Sequence, residues 1–159
     1  MSPARPPFTP LAPLLVPEDA TVCAPGLDPQ RQGIDPPFVR AARRRIERWQ
    51  RIGLGIRLAY NAQRADVVRL WLGLGRQLAR DGCADEGALL THALRLLLQT
   101  AADPALPWVW RHVCLEHTAR PLSRLTTLRA GTDPAGVADW HASVRCLHDR
   151  LEPAGAARA

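Results

Sequence analysis

The sequence predicts an all-α protein: a compact bundle or helical-hairpin stack of five to six helices, preceded by a Pro-rich disordered tail. Three observations predict it. Asp-Pro occurs at 35–36, 103–104 and 133–134. Each reads as an N-cap acid followed by proline at the first helical position, where the missing donor costs nothing. From Asp35 onward apolar residues recur at three- and four-residue spacing, the period of one helical face. Alternating β-branched runs and Gly/Asn hairpin turns are absent, so no strand is predicted. The expected organisation is a tail over residues 1–34, a helical domain over 35–153 and a frayed end over 154–159.

The tail is predicted from proline. Ten of the 15 prolines fall in residues 1–37, and proline is excluded from helix interiors and central strands. Polyproline-II character is expected there. Pro7, Pro10 and Pro13 also spell two overlapping P-x-x-P pairs, so the alternative is a Pro-rich ligand for a partner domain.

The first helix is predicted from about Pro36 to Tyr60. Val39, Ala42, Ile46, Trp49, Gly53, Ile56 and Tyr60 form its apolar stripe. Gly53 and Gly55 weaken it by ~1 kcal/mol each relative to Ala and mark a kink or a close helix crossing. The second spans about Ala65 to Arg80, with Val67, Trp71, Leu74 and Leu78 inward and Gly82 as the stop. The third, about Asp85 to Ala101, is nearly all apolar and is expected to be the most buried element. The fourth begins at Pro104 or Pro107 and ends before Pro121. A short fifth carries Leu122, Leu125 and Leu128 and stops at Gly131. The sixth starts at Asp133, carries Val137, Trp140, Val144, Leu147 and Leu151, and ends at Pro153. Trp140 sits mid-stripe and is expected to anchor the core.

All 21 basic residues are arginine, and asparagine, tyrosine and methionine occur once each. The pattern reads as a GC-rich genome, so an arginine here is weak grounds for inferring a need for its guanidinium fork. No apolar run approaches the ~20 residues of a membrane span, and prolines at 10, 13 and 17 interrupt any apolar signal region. A cytoplasmic protein is expected, or one acting in the host-cell interior if viral. Cys23, Cys83, Cys114 and Cys146 lack regular spacing and are expected to be reduced thiols.

Charge is unevenly spread. Residues 1–35 carry a net −2, residues 36–80 a net +9, and residues 81–159 a net −1. Genome bias explains arginine over lysine but not eleven arginines in 45 residues. This concentration points to a binding surface. Arg40, Arg44, Arg48 and Arg51 share one helical face by spacing, flanked by Arg43 and Arg45. Like charges at i,i+4 repel by a few tenths of a kcal/mol, so an external partner is expected. Three are available: phosphates, an acidic protein or membrane surface, or acids of the same chain. The internal candidates are Asp85, Glu86, Asp103, Glu116, Asp133, Asp139, Asp149 and Glu152. Trp49 and Trp71 lie on apolar stripes, where they read as core and not as base-stacking platforms.

The remaining chemistry is thin. Cys114, His117, His141 and Cys146 are the only candidate metal ligands worth naming, and their spacing matches no zinc motif. No cofactor is expected. No paired acids, nucleotide loop or hydrolase signature occurs, so an enzyme is not expected. Trp71, Leu74, Gly75, Leu78, Gly82 and then Ala93–Leu94 resemble one tetratricopeptide-type helix pair. The resemblance covers about 25 residues, has Gly87 where the family has a small alanine, and finds no second copy. It is too short to assign the family; what it implies is a helical protein-binding scaffold. The sequence therefore reads as a non-enzymatic helical adaptor or accessory protein that binds another protein through its basic first helix. The alternative is a nucleic-acid-binding regulator using the Arg40–Arg51 face.

Overall fold

Six helices and no strand occur among the described residues, 36–151, of the computed structural model: α1 (Pro37–Arg57), α2 (Asp66–Arg80), α3 (Glu86–Ala102), α4 (Trp108–Glu116), α5 (Ala119–Arg129) and α6 (Pro134–Leu151). They belong to one compact unit, Asp35–Ala159. The expected Pro-rich tail, the frayed end and Cys23 lie outside the described residues.

The helix ends follow local chemistry. Asp85 caps α3 by accepting from the Ala88 N–H at 2.7 Å, and Asp133 caps α6 by accepting from the Gly136 N–H at 2.9 Å. Each satisfies one of the orphan donors of a first turn. Asp103 differs from expectation. It stands at the C-cap of α3 and does not cap the start of α4, which begins later, after Pro107. Its carboxylate turns instead onto the Ala105 N–H at 3.0 Å and pairs with Arg57 at 2.8 Å. Pro121 follows the end of α4 at Glu116, as expected. It lies in the first turn of α5, where its missing N–H breaks no helical bond.

α1 and α2 stop in the same way. The Tyr60 N–H reaches Gly55 O and the Ala59 N–H reaches Ile56 O; the Cys83 N–H reaches Leu78 O and the Gly82 N–H reaches Ala79 O. Both are paired closures around a left-handed residue, Gly82 at φ 66° in one and Ala59 at φ 52° in the other. The turn at Ala59 takes Tyr60 off the apolar stripe predicted for it and leaves it exposed.

α1 and α2 form an antiparallel hairpin closed by two tryptophans. The rings of Trp49 and Trp71 stack at 5.0 Å with 12° between planes. Each indole N–H donates to the other residue's carbonyl, at 3.0 and 2.9 Å. Each ring lies over the glycine four residues beyond its partner: a Cβ on Gly53 would stand 3.1 Å from Trp71, and one on Gly75 3.1 Å from Trp49. Gly53 thus marks the close crossing predicted for it, while Gly55 faces open space. The notch at Gly75 also rotates α2 relative to the predicted stripe. Val68, Trp71, Gly75 and Leu78 are buried, whereas Leu74 is turned outward.

α3 is the central element, as its composition predicts. It packs against all five other helices and buries Leu89, Leu90, Leu94, Leu96, Leu97 and Leu98. One aliphatic cluster joins Leu98 and Ala101 to Leu115, Leu147 and Leu151; another joins Leu90 and Leu94 to Leu122 and Leu125. Trp140 and Val144 pack against both clusters while only half-buried, so Trp140 bridges the core from its edge instead of filling its centre. α4 completes three other helices. Trp110 donates to Ile56 O at 2.9 Å, Arg111 to Ala101 O at 2.8 Å and Trp108 to Leu151 O at 3.2 Å. These carbonyls lie in the last turns of α1, α3 and α6, where intrahelical donors run out; Ile56 O also accepts from the Ala59 N–H of the closing turn.

Candidate functional site

The predicted arginine face is exposed along its whole length. Arg40, Arg44, Arg48 and Arg51 are all solvent-exposed on α1, opposite the edge that carries buried Trp49, Gly53 and Ile56. None of the four forms an ion pair with a described residue. The flanking pair behaves differently: Arg43 meets Glu47 one turn on, at 3.8 Å, and Arg45 reaches Asp81 after α2.

Most of the described acids that might have neutralised the row are engaged elsewhere. Glu86 holds Arg124 through two bonds of 2.8 and 3.0 Å. Asp103 pairs with Arg57, Glu116 with His112 at 3.2 Å, and Asp133 with Arg129 at 3.4 Å. Asp85 is the α3 cap. Asp139 and Asp149 are exposed on α6 without an ion pair among the described residues, and Glu152 lies beyond them. The Arg124 guanidinium holds the Glu86 carboxyl below its ordinary range, and Arg80 adds to this through space. For Asp103 the Ala105 N–H is the larger cause of the same shift and Arg57 the second. Both carboxylates are therefore ionised partners at neutral pH.

The solvent face of α1 does not stay basic to its end. Leu54 and the C-cap residue Leu58 are 56% and 57% exposed. Their spacing from Arg51, three and seven residues, continues the same face. The surface is thus arginine over three turns and leucine over the last.

A second basic surface was not anticipated from the sequence. A groove of about 990 Å³ runs between α2 and α5. Arg69, Arg76 and Arg80 line one wall, and Arg120 and Arg124 the other. Leu72, Leu90 and Pro121 supply apolar lining. Glu86 and Glu116 are its only acids, so five arginines face two glutamates. Arg69, Arg76, Arg80 and Arg120 are exposed and form no ion pair with a described residue. A signal was present: Arg69, Arg76 and Arg80 stand at i, i+7 and i+11, the spacing logic that picked out α1. The opposing wall lies about 50 residues further on and needed the fold to bring it across.

The four candidate metal ligands are spread over different environments. Cys114 is fully buried in α4, His117 ends α4 beside the groove, His141 contacts the Thr126 hydroxyl at 3.2 Å, and Cys146 is exposed. Among the described residues no three His, Cys, Asp or Glu side chains stand where they could share a metal ion. Burial pushes the Cys114 thiol up to about 12, which leaves it protonated and unreactive. His92, against the Trp49 ring at 5.2 Å, is held below its ordinary pKa by burial and then by Arg95. No described helix is long and apolar enough to cross a membrane. No family model, curated protein or solved structure matches the chain.

Proposed function

We propose that the protein is a non-enzymatic helical adaptor that binds an acidic protein partner through the solvent face of α1. One observation carries the reading. Four exposed arginines stand in a row and form no ion pair with a described residue, while Glu86, Asp103 and Asp133 hold other arginines and Asp85 caps α3. A row of repelling charges is costly to keep and gains nothing for the isolated helix. An acidic partner offsets that cost and gains affinity from it.

The leucines favour a protein over a nucleic acid. Leu54 and Leu58 extend the face with exposed apolar surface, which a protein interface can bury and a phosphate backbone cannot use. Trp49, Trp71 and Trp110 are fully buried and cannot stack on a base, whereas Phe38, Tyr60 and Trp108 are exposed, so the leucines and not the aromatics carry the distinction.

The test is the Arg40→Gln/Arg44→Gln/Arg48→Gln/Arg51→Gln variant, compared with a Leu54→Ser/Leu58→Ser variant in a pull-down treated with nuclease. The arginine variant should melt within about 2 °C of wild type, because the side chains it changes are exposed. Partner capture should collapse in both variants. Capture that is abolished by nuclease, keeps its strength in the leucine variant and falls with a log–log salt slope near −3.6, the value for four phosphates, would replace this reading with nucleic-acid binding.

A further inference from the structure

We infer that the groove between α2 and α5 is a second, separate docking site, and that its occupant is an acidic amphipathic helix of a partner protein. The occupant follows from charge and shape together. Both walls are basic: Arg69, Arg76 and Arg80 on α2 and Arg120 on α5 are exposed and form no ion pair with a described residue, while Arg124 on α5 is held by Glu86. The groove's lining is apolar in part: Leu72 is partly exposed, and the edges of buried Leu90 and Pro121 reach it. A ligand that fits both must be apolar along one side and negative along its two edges. A helix does this with leucine-type residues at i, i+3, i+4 and i+7 and acids flanking them.

The dimensions agree. Arg69 and Arg80 are eleven residues apart, about 16 Å along the axis of α2. That is three helical turns, the length over which such a peptide would present its acids. The open volume of about 990 Å³ is at the upper end for a small-molecule pocket and suits a short peptide segment. The two glutamates leave room for this reading. Glu86 is already neutralised by its two bonds to Arg124, which fixes that end of the α5 wall. Glu116 pairs with His112.

Nucleic acid fits the groove less well. It would lay phosphates against the apolar lining, and His117 is the one ring among the described lining residues that could stack on a base. A membrane surface is flat, whereas the arginines stand on opposite walls of a depression.

The experiment uses the full chain. A displayed library of random 16-residue peptides is selected against it, and the recovered peptides are synthesised with a fluorescent label. Binding is then measured to the wild type, to the Arg69→Gln/Arg76→Gln/Arg80→Gln/Arg120→Gln groove variant, and to the α1 variant described above. The groove residues are exposed, and a circular-dichroism melt matching wild type shows that the variant is folded. The expected recovery is acid-rich peptides with helical apolar spacing. These should bind the groove variant at least tenfold more weakly than wild type and the α1 variant within twofold of wild type. A labelled 20-nucleotide single strand and vesicles containing anionic lipid serve as competing probes and should show no preference for wild type over the groove variant. The inference is overturned if the recovered peptides are neutral or basic, if no peptide is recovered, if their affinity is unchanged by the groove substitutions, or if the oligonucleotide or the vesicle is the probe that loses binding. Loss of peptide binding in the α1 variant alone would transfer the peptide to the α1 face and leave the groove without an occupant.

Discussion

The α1–α2 hairpin and the α3–α6 half are held together by different means. In the hairpin, two indoles stack, exchange hydrogen bonds and sit over each other's glycine notch. Every part depends on the others. The α3–α6 half is a leucine core in which Leu94, Leu98, Leu115, Leu122, Leu125 and Leu147 are near-completely buried without polar contacts between them. The outer surfaces divide less cleanly. Arg40, Arg44, Arg48 and Arg51 on α1 and Arg69, Arg76 and Arg80 on α2 form no ion pair with a described residue, and neither does Arg120 on α5, whereas Arg45 and Arg57 of α1 pair with Asp81 and Asp103. The exposed arginine rows of α1 and α2 thus stand on the two helices that the indole pair joins.

The largest test of that contrast is a double-mutant cycle. Trp49→Ala and Trp71→Ala should each cost about 3–5 kcal/mol by cavity formation. Together they should cost less than the sum by about 1 kcal/mol or more, since either single change already removes the stack. Leu98→Ala, in the other half, should cost about 2–5 kcal/mol and add to Trp71→Ala within about 0.5 kcal/mol. Urea midpoints measure all of these. Full additivity between the two tryptophans would mean that the hairpin is packed no differently from the leucine core.

A smaller test compares two glycines of one helix. Gly55→Ala meets open space and should stabilise by up to about 1 kcal/mol through helix propensity. Gly53→Ala should destabilise by about 1 kcal/mol, because its Cβ would press on Leu96 Cδ1 and the Trp71 ring at 3.1 Å. Equal responses to the two substitutions would show that the crossing has slack. The smallest effect concerns the two closing turns. Ala59→Gly should raise stability by about 0.5 kcal/mol by relieving the left-handed backbone, and Gly82→Ala should lower it by about 1 kcal/mol. Thermal melts of the two variants that move in the same direction would remove the equivalence of the turns.

Much of this was legible from the chain. The helix pattern, the Gly82 stop and the Asp133 cap follow from local rules that operate within a few residues, and the leucine density of α3 announces its central place. The failures share a cause. Asp103 has the spelling of a cap but is drawn away by Arg57, 46 residues distant. Leu74 has the right period but loses its inward place to Gly75, because Trp49 occupies that space. The repeated Trp-x-x-x-Gly of α1 and α2 was present in the sequence, yet its meaning depends on the two helices meeting. The α1 arginine row could be read because one helix carries it all. The α2–α5 groove could not, because Arg120 and Arg124 belong to a helix of weak pattern and become a wall only after α3 has positioned it.

The stacked indoles have one further consequence, which is optical. Two chromophores 5.0 Å apart and nearly parallel have coupled transition dipoles, so their ultraviolet absorption is shared and split instead of belonging to either ring. The chain has five tryptophans, and no other pair of them stacks among the described residues. An exciton couplet in the circular dichroism would therefore report the state of the hairpin alone. The hairpin whose first helix carries the exposed arginine row comes with its own unlabelled signal, by which any loosening on partner binding can be followed separately from the rest of the fold.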